Sequence, residues 1–370
     1  MALLMMDSFD CYADAAEWET GGWGIEHSDV DFSTTLGKDG GGCILISSSA
    51  EALADHALTY FDAYSEADQA GNTYIFQGWV YIDTFSGSTT GLLCQIMQGL
   101  DEIIDVRLSF DGKLQVSTYD LQVPTAATQT AGGQLTVDTW HFIELKVVMS
   151  SVLATADGSF DLRVDGNSVS SGSSLEIGND RDSTGTGIMG ANRIRVGNAH
   201  QTLVRWDDVV AMDGTGADAN LNAFTGPRYI EVLNVAADGG TVDWTRNTGS
   251  NDWEMVDDTA NANDGDTTYV SSNTVAQEGR YNLAAPSNTD DEVHAVQIRG
   301  CIRKDDAGAR TIRGVMNVAA GTEEITFATI GVTTEYQWLE LGVRETNDTG
   351  GTAWDANELT NIEIGVEIVS

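Results

Sequence analysis

Basic residues are scarce in this chain. Only 18 Lys and Arg stand against 57 Asp and Glu, a formal net charge of −39 over 370 residues. A surface of that sign repels nucleic-acid phosphates and anionic lipid, so no nucleic-acid partner is expected. Proline is nearly absent, with 3 residues. Cysteine is limited to Cys11, Cys43, Cys94 and Cys301, widely separated and without a Cys-x-x-Cys pair, and the five histidines do not cluster. Zinc-type ligand spacing is therefore missing. Buried free thiols are expected, with a Cys11–Cys43 disulfide left open.

Long apolar runs are lacking too. The opening "MALLMMDSFDCY" offers an apolar run of only six residues, without a basic segment. That is too short for a signal peptide or a bilayer span. The expectation is synthesis in a cytoplasm, no signal peptide and no membrane insertion, with any exit from the cell by a route such as lysis. No Gly-x-Ser-x-Gly elbow, phosphate loop or dinucleotide fingerprint occurs. Amphipathic helix is scarce as well. The best candidate, "SAEALADHALTYF" at 49–61, reads equally as a turn or two of helix or as strand.

What the chain has is glycine, 40 residues, and period-two alternation. In "YIFQGWVYID", Phe76, Gly78, Val80 and Ile82 share one face, while Ile75, Gln77, Trp79 and Tyr81 take the other. "DVRLSFDGKLQVSTY" reads as a hairpin turning at Asp111-Gly112, and "SFDLRVDGNSVSS" as one turning at Asp165-Gly166, each a two-residue turn at positive φ. "TWHFIELKVVM" sets Ile143, Leu145, Val147 and Met149 on one side. In "NRIRVGN", Ile194 and Val196 alternate with Arg195. The small-residue segment "TGADANLNAFTGP" ends at Pro227 and is the best boundary. Strands are expected to resume in "RYIEVLNV", "DEVHAVQIRGCIRK", "ARTIRGVMNV", "YQWLELGVRE" and "LTNIEIGVEIV", with "RKDDAGAR" as a hairpin loop. The chain thus reads as all-β, in two domains at 1–225 and 226–370, the second a smaller β-sandwich.

The stretch "LVRWDDVVAMDG" places Asp207 and Asp208 side by side on a strand. Alternation puts Asp208 on the face of Val204, Trp206, Val210 and Met212 and Asp207 outward with Arg205, unless a bulge reverses them. An acid on a core face needs backbone N–H groups, an arginine or a cation. Backbone N–H groups are the first reading. Ca²⁺ is the second, since it takes hard oxygen ligands; these two acids are the candidate metal residues, and no other cofactor is expected. "DDTANANDGDTTYV" at 257–270 fails as a calcium loop, because Ala260 and Ala262 fall on ligand positions once Gly265 is set at the turn. Of the nine tryptophans, Trp23, Trp253 and Trp354 lie in loop-like contexts and are the candidates for carbohydrate or partner contact.

Four stretches, "YIFQGWVYI", "TWHFIELKVVM", "FDLRVDGNSV" and "LVRWDDVVAMDG", in this order, resemble the concanavalin A-like (laminin G-like) jelly roll. From about residue 225 onward, "GPRYIEVLNVAADG", "WTRNTGSNDWEMVDD" and "WDANELTNIEIGVEI" are similar to a class of tailed-bacteriophage virion proteins built on that domain. In the laminarinase-like branch of the jelly rolls, a Glu-x-Asp-x-x-Glu strand carries the catalytic acids. The nearest string here is Glu102-Ile103-Ile104-Asp105-Val106-Arg107. Its first two acids are spaced to fall on opposite faces, and Arg107 replaces the second glutamate. The resemblance implies a non-enzymatic structural component of a virion (head decoration, fibre or tail-associated), acting through protein–protein assembly. Its expected partners are other capsid or tail proteins, further copies of itself as a homo-oligomer such as a trimer, and a host glycan. A lectin-like carbohydrate-binding adhesin is the alternative reading, followed by a polysaccharide-degrading enzyme.

Overall fold

The computed structural model describes residues 3–12, 18, 23–25, 30–47, 57–60, 73–85, 90–98, 101–118, 129–151, 155–178, 191, 193–197, 203–214, 222–258, 263–318, 323–347 and 351–370. The chain forms two compact units: Met1–Phe9 with Gly22–Ile230, and Asp10–Gly21 with Glu231–Ser370. The boundary follows Ile230, and the second unit also takes in a short N-terminal segment that alternation does not reveal.

Among the described residues the first unit has fifteen strands in two antiparallel sheets. They are β1 (Leu3–Asp7), β2 (Trp23–Ile25), β3 (Val30–Ser33), β4 (Cys43–Ser47), β5 (Ala57–Tyr60), β6 (Thr73–Ile82), β7 (Gly91–Gln98), β8 (Asp101–Leu108), β9 (Lys113–Thr118), β10 (Gln129–Gln134), β11 (Trp140–Val148), β12 (Gly158–Val164), β13 (Asn167–Leu175), β14 (Arg193–Val196) and β15 (Leu203–Met212). One sheet runs β13-β12-β11-β6-β15-β4-β3, with β1 also paired to β15; the other runs β10-β9-β8-β7-β14-β5-β2. This is the two-sheet sandwich that the resemblance to the concanavalin A-like jelly roll implies. Of the ambiguous segment 49–61, the described part is strand β5, and the remainder lies outside the described residues.

The core lies between the sheets. From the larger sheet come Phe76, Val80 and Ile82 of β6, Ile143, Leu145 and Val147 of β11, Phe160 and Leu162 of β12, and Val204 and Trp206 of β15, all buried. From the other come Ile96, Ile104, Val106, Leu114, Val116, Ile194 and Val196, also buried. Each such side chain contributes about 1.5–3 kcal/mol on leaving water. Trp206 packs edge-on against Phe76 at 5.8 Å and donates its indole N–H to Gly197. Gly78 lies against the Trp206 ring, and a Cβ there would meet Val209 at 3.2 Å.

The two hairpins differ. Asp165 and Gly166 both adopt positive φ, 51° and 78°, and Val164 pairs with Asn167, which is a two-residue turn. At Asp111-Gly112 only Gly112 has positive φ. Leu108 pairs with Leu114, and Ser109 N–H bonds Lys113 O while Gly112 N–H bonds Ser109 O. The turn is therefore longer than the expected two residues, with glycine in the left-handed position of a bulge.

The second unit holds a five-stranded antiparallel sheet ordered Val235–Val242, Glu278–Leu283, Glu363–Ile368, Thr311–Val318 and Glu323–Gly331. A ribbon of Val296–Ile302 with Gln337–Arg344 packs on one face. Its core joins Ile298, Ile312, Met316, Leu341, Trp354 and Ile362. Gly314 is required where sheet and ribbon meet, since a Cβ there would sit 2.3 Å from Leu341 O. Two local expectations are corrected. "RYIEVLNV" is not strand, which begins only at Val235; at its start Arg228 O and Ile230 N–H bond to the side chains of Trp79 and Asp208. "RKDDAGAR" crosses from the ribbon to the sheet and closes no hairpin, since the strands it joins do not pair. The N-terminal segment is tied into this unit by Arg299, whose guanidinium donates to Tyr12 Oη at 2.5 Å and to Cys11 Sγ at 3.1 Å.

Candidate functional site

The adjacent acids of β15 are settled by a bulge. Pairing to β6 is regular from Val204 to Asp207 and shifts before Val210. Asp208 sits in the shift with φ 48°. Asp207 pairs with Trp79 on the outward face of the sheet, and past the bulge Ala211 is opposite Phe76. Val210 and Met212 are thus moved off the face expected for them. Both acids are buried, and both accept backbone N–H groups. Asp207 takes those of Lys38 at 2.6 Å and Asp208 at 2.8 Å; Asp208 takes that of Ile230 at 3.1 Å. Among the described residues no group of three or more His, Cys, Asp or Glu is placed to hold a metal ion.

The same outward face is covered by residues 224–230. Trp79 donates its indole N–H to Arg228 O at 2.6 Å, Thr225 Oγ1 donates to Gln77 Oε1 at 2.6 Å, and Gly226 N–H donates to Glu144 Oε1 at 2.9 Å. Burial pushes the Glu144 carboxyl above its ordinary value, against the lowering pull of the Gly226 N–H and of Arg163. This face is therefore closed by the chain's own backbone.

The outward face of the other sheet is different. Alternation sends Ile96, Ile104, Val116 and Ile194 into the core, so the residues between them point away from it. Cross-strand pairing lines up Arg195 with Gln95, Gln95 with Asp105, and Asp105 with Ser117, one row across β14, β7, β8 and β9. Arg107 pairs with Gln115 on one side of the row, and Arg193 with Met97 on the other. Asp105 is fully buried, held by Arg107 Nη2 at 2.8 Å and Nε at 3.2 Å and by the Gln95 amide. Gln95 is 2% exposed, and its Oε1 accepts no hydrogen bond among the described residues. The Arg107 side chain keeps 37% of its surface open, and Arg195 and Gln115 are half-buried. A buried polar floor thus has partly exposed guanidinium and amide groups at its margins. Such groups recognise hydroxyls and carboxylates in fixed geometry.

One exclusion drawn from spacing fails here. Glu102 and Asp105 are three apart and belong on opposite faces of a regular strand. The register shifts between Ile96 and Met97, so Glu102 pairs with Met97 and Asp105 with Gln95, two residues of one face. A bulge brings the two carboxylates to the same side. Sequence reasoning passed over the row itself, because its members come from four strands and no single stretch displays them. The one hint was the buried-strand pattern of "GLLCQIMQ" carrying a glutamine.

Of the three tryptophans singled out, Trp23 is buried against Phe9 at 5.4 Å with its N–H on Asp7 Oδ2 at 3.0 Å. Trp354 is buried in the second core with its N–H on Arg344 O at 3.1 Å. Trp253 opens a short 3₁₀ turn and stays half-buried. Both fully buried indoles serve the cores, and none of the three belongs to the polar row. The four cysteines are free. No described helix is long and apolar enough to cross a membrane.

No family model and no curated protein matches this chain. Solved structures do. The endo-β-1,4-glucuronan lyase of the fungus Trichoderma reesei is 12% identical, with a TM-score of 0.40, over 57% of this chain and 95% of its own. A carbohydrate esterase of the Shiga toxin-encoding bacteriophage phi24B is 9% identical, with a TM-score of 0.37, over 57% and 98%. The Trypanosoma rangeli sialidase is 13% identical, with a TM-score of 0.33, over 52% of this chain and 30% of its own. These similar structures are carbohydrate-active proteins, one of them from a phage. The expectation of a non-enzymatic chain is corrected accordingly: the named structures are enzymes, and the spacing argument against paired carboxylates is removed by the β7–β8 bulge.

Proposed function

We propose that this chain is a bacteriophage virion component whose first unit contacts carbohydrate through the outward face of the β14-β7-β8-β9 sheet. The observation that carries the carbohydrate contact is the row Arg195–Gln95–Asp105–Ser117, flanked by Arg107–Gln115. A sugar chain presents hydroxyls at short intervals. The partly exposed Arg107, Arg195 and Gln115, at the margins of this buried polar row, supply partners for them. The virion setting is supported by the likeness of "GPRYIEVLNVAADG" and the stretches after it to tailed-phage virion proteins. It is also supported by the charge of −39, which keeps crowded copies soluble. In this reading the second unit holds the particle, through other virion proteins and further copies of the chain.

A second reading, cleavage of the bound polysaccharide, is favoured by the shared face of Glu102 and Asp105. One experiment addresses both. The purified chain is run by affinity electrophoresis through gels holding a panel of neutral and acidic polysaccharides, and the same polymers are sized after incubation with it. Retardation by at least one polymer is expected, and shortening of that polymer would add the second reading. Free migration through the whole panel would refute the carbohydrate contact. Gold-labelled antibody against the chain is expected to decorate phage particles; particles without label would refute the virion setting.

A further inference from the structure

We infer that the second unit joins a second copy of this chain edge to edge, with the strand Glu323–Gly331 paired antiparallel to its own copy across a two-fold axis. This rests on the reading above only where that reading gives contact between copies to the second unit, and it names the surface. The strand is nine residues long and lies last in its five-stranded sheet. Thr311–Val318 pairs with one side of it, and among the described residues no strand pairs with the other. Alternate residues of a strand turn their N–H and C=O groups to opposite sides, so one set is left facing water. Glu324, Thr326, Ala328, Thr329 and Gly331 are exposed. Such an edge is a template for a further strand.

The two edges of this sheet are built differently. Val235–Val242, at the other edge, carries two register shifts. Its Gly240 N–H bends over the sheet to Glu363 Oε1 at 2.7 Å, and the Trp253 N–H is held on Asp238 Oδ1 at 2.7 Å. That edge is blunted by bulges and a covering turn. Glu323–Gly331 has a single register shift, between Thr326 and Thr329, and neither lysine nor proline.

Charge selects the occupant. Of all residues 20% are charged, and each copy carries −39, so two copies repel over most of their surface. Ile325–Thr334 is a run of ten residues without a charge, rich in β-branched side chains. Glu324, just before it, is met by Arg280 at 3.4 Å. Set about Ala328, the run faces itself. Ile325 falls opposite Gly331 and Thr326 opposite Ile330, while Glu324 meets Val332 and Glu323 meets Thr333. No acid then faces an acid across the seam. A contact of this isologous kind closes at two copies.

The test is sedimentation of the full chain over a wide range of concentration, at low and at high salt. A monomer–dimer equilibrium is expected, and salt is expected to tighten it by screening the repulsion between copies. Ala328→Lys sets two like charges face to face at the axis and is expected to weaken the dimer about tenfold or more. Ala328→Cys sets two thiols there. Directly opposed Cα atoms stand about 4.5–5.5 Å apart, within disulfide reach. Mild oxidation is expected to give a covalent dimer that reduction reverses, beyond any that the parent forms through its half-buried Cys301. Cysteine is close to alanine in size, so this variant decides the matter even where the lysine disturbs folding. A parent chain that stays monomeric overturns the inference, and so does a dimer that salt loosens. A trimer overturns it too, as does a dimer that Ala328→Lys leaves intact and Ala328→Cys fails to cross-link. Phage particles without gold label, beside a dimer in solution, would refute the virion setting and leave this contact standing.

Discussion

Asp208 accepts the backbone N–H of Ile230 at 3.1 Å, from a bulge position with φ 48°. Its neighbour Asp207 accepts the N–H groups of Lys38 and of Asp208 itself. Two adjacent acids therefore fasten two separate loops to an interior strand of the larger sheet. Asp207→Ala strips the acceptor from two N–H groups, one of them in a buried position. The expected cost is about 2 kcal/mol or more, read as a lowered urea midpoint. Asp207→Asn keeps an acceptor oxygen and is expected to lose less. An unchanged midpoint for Asp207→Ala would refute the fastening role.

The Glu144 carboxyl is buried beneath Gly226, and its pKa is raised above the ordinary 4.5. A raised folded-state value means that the folded chain holds the proton more tightly than the unfolded chain. Stability from this group is thus fully present below about pH 4.5 and is lost as pH rises through the folded value. Glu144→Gln keeps an acceptor for Gly226 N–H and removes the ionisation. The variant is expected to be at least as stable as the parent at pH 7, with its advantage shrinking toward pH 4. Denaturant titrations at the two pH values check this. A variant weaker at pH 7 than at pH 4, relative to the parent, would contradict it.

Gly166 occupies the left-handed position of the Asp165-Gly166 turn, at φ 78°, where a Cβ would make only an ordinary contact, with Pro227 Cδ at 3.8 Å. Gly166→Ala therefore costs backbone strain and little else, about 1–2 kcal/mol. The Asp165 side chain does more. It accepts Phe142 N–H at 2.9 Å and contacts His141 Nδ1 at 2.9 Å. Asp165→Gly, which tolerates the backbone but loses both contacts, is expected to cost at least as much as Gly166→Ala. Unfolding midpoints of the two variants check the order.

Cys94 faces the core, and burial, with the Asp105 charge beside it, pushes its thiol far up. Cys43 is fully buried, whereas Cys301 is half-buried. Thiol labelling of the native chain is expected to modify Cys301 first and to leave Cys43 and Cys94 intact until unfolding. Peptide mass mapping after a short pulse reads the order. Early modification of Cys94 would contradict its placement.

How far the sequence foretold all this depends on where strand geometry is regular. The faces of β6, β11, β12 and β14 follow from alternation, because each is a flat strand with one side in the core. The Asp165-Gly166 turn follows for the same local reason. Bulges broke the rest. One shift in β15 turned Val210 and Met212 off their expected face, and one between β7 and β8 moved Glu102 to the side of Asp105. A single extra residue flips every side chain beyond it, and nothing local in the sequence announces it. The polar row was hidden for a further reason: Arg195, Gln95, Asp105 and Ser117 are neighbours only through strand pairing. The isolated tryptophans looked exposed because their sequence surroundings are polar, yet Trp23 and Trp354 each open a short strand and are buried.

The central claim is that carbohydrate is met by the outward face of the β14-β7-β8-β9 sheet. A crystal structure of the chain soaked with an acidic oligosaccharide tests it most directly. The account predicts sugar density at the margins of the Gln95–Asp105 row, with Arg107, Arg195 or Gln115 within hydrogen-bond distance of a sugar oxygen. Sugar density confined to the face covered by residues 224–230, or to the second unit, would contradict it.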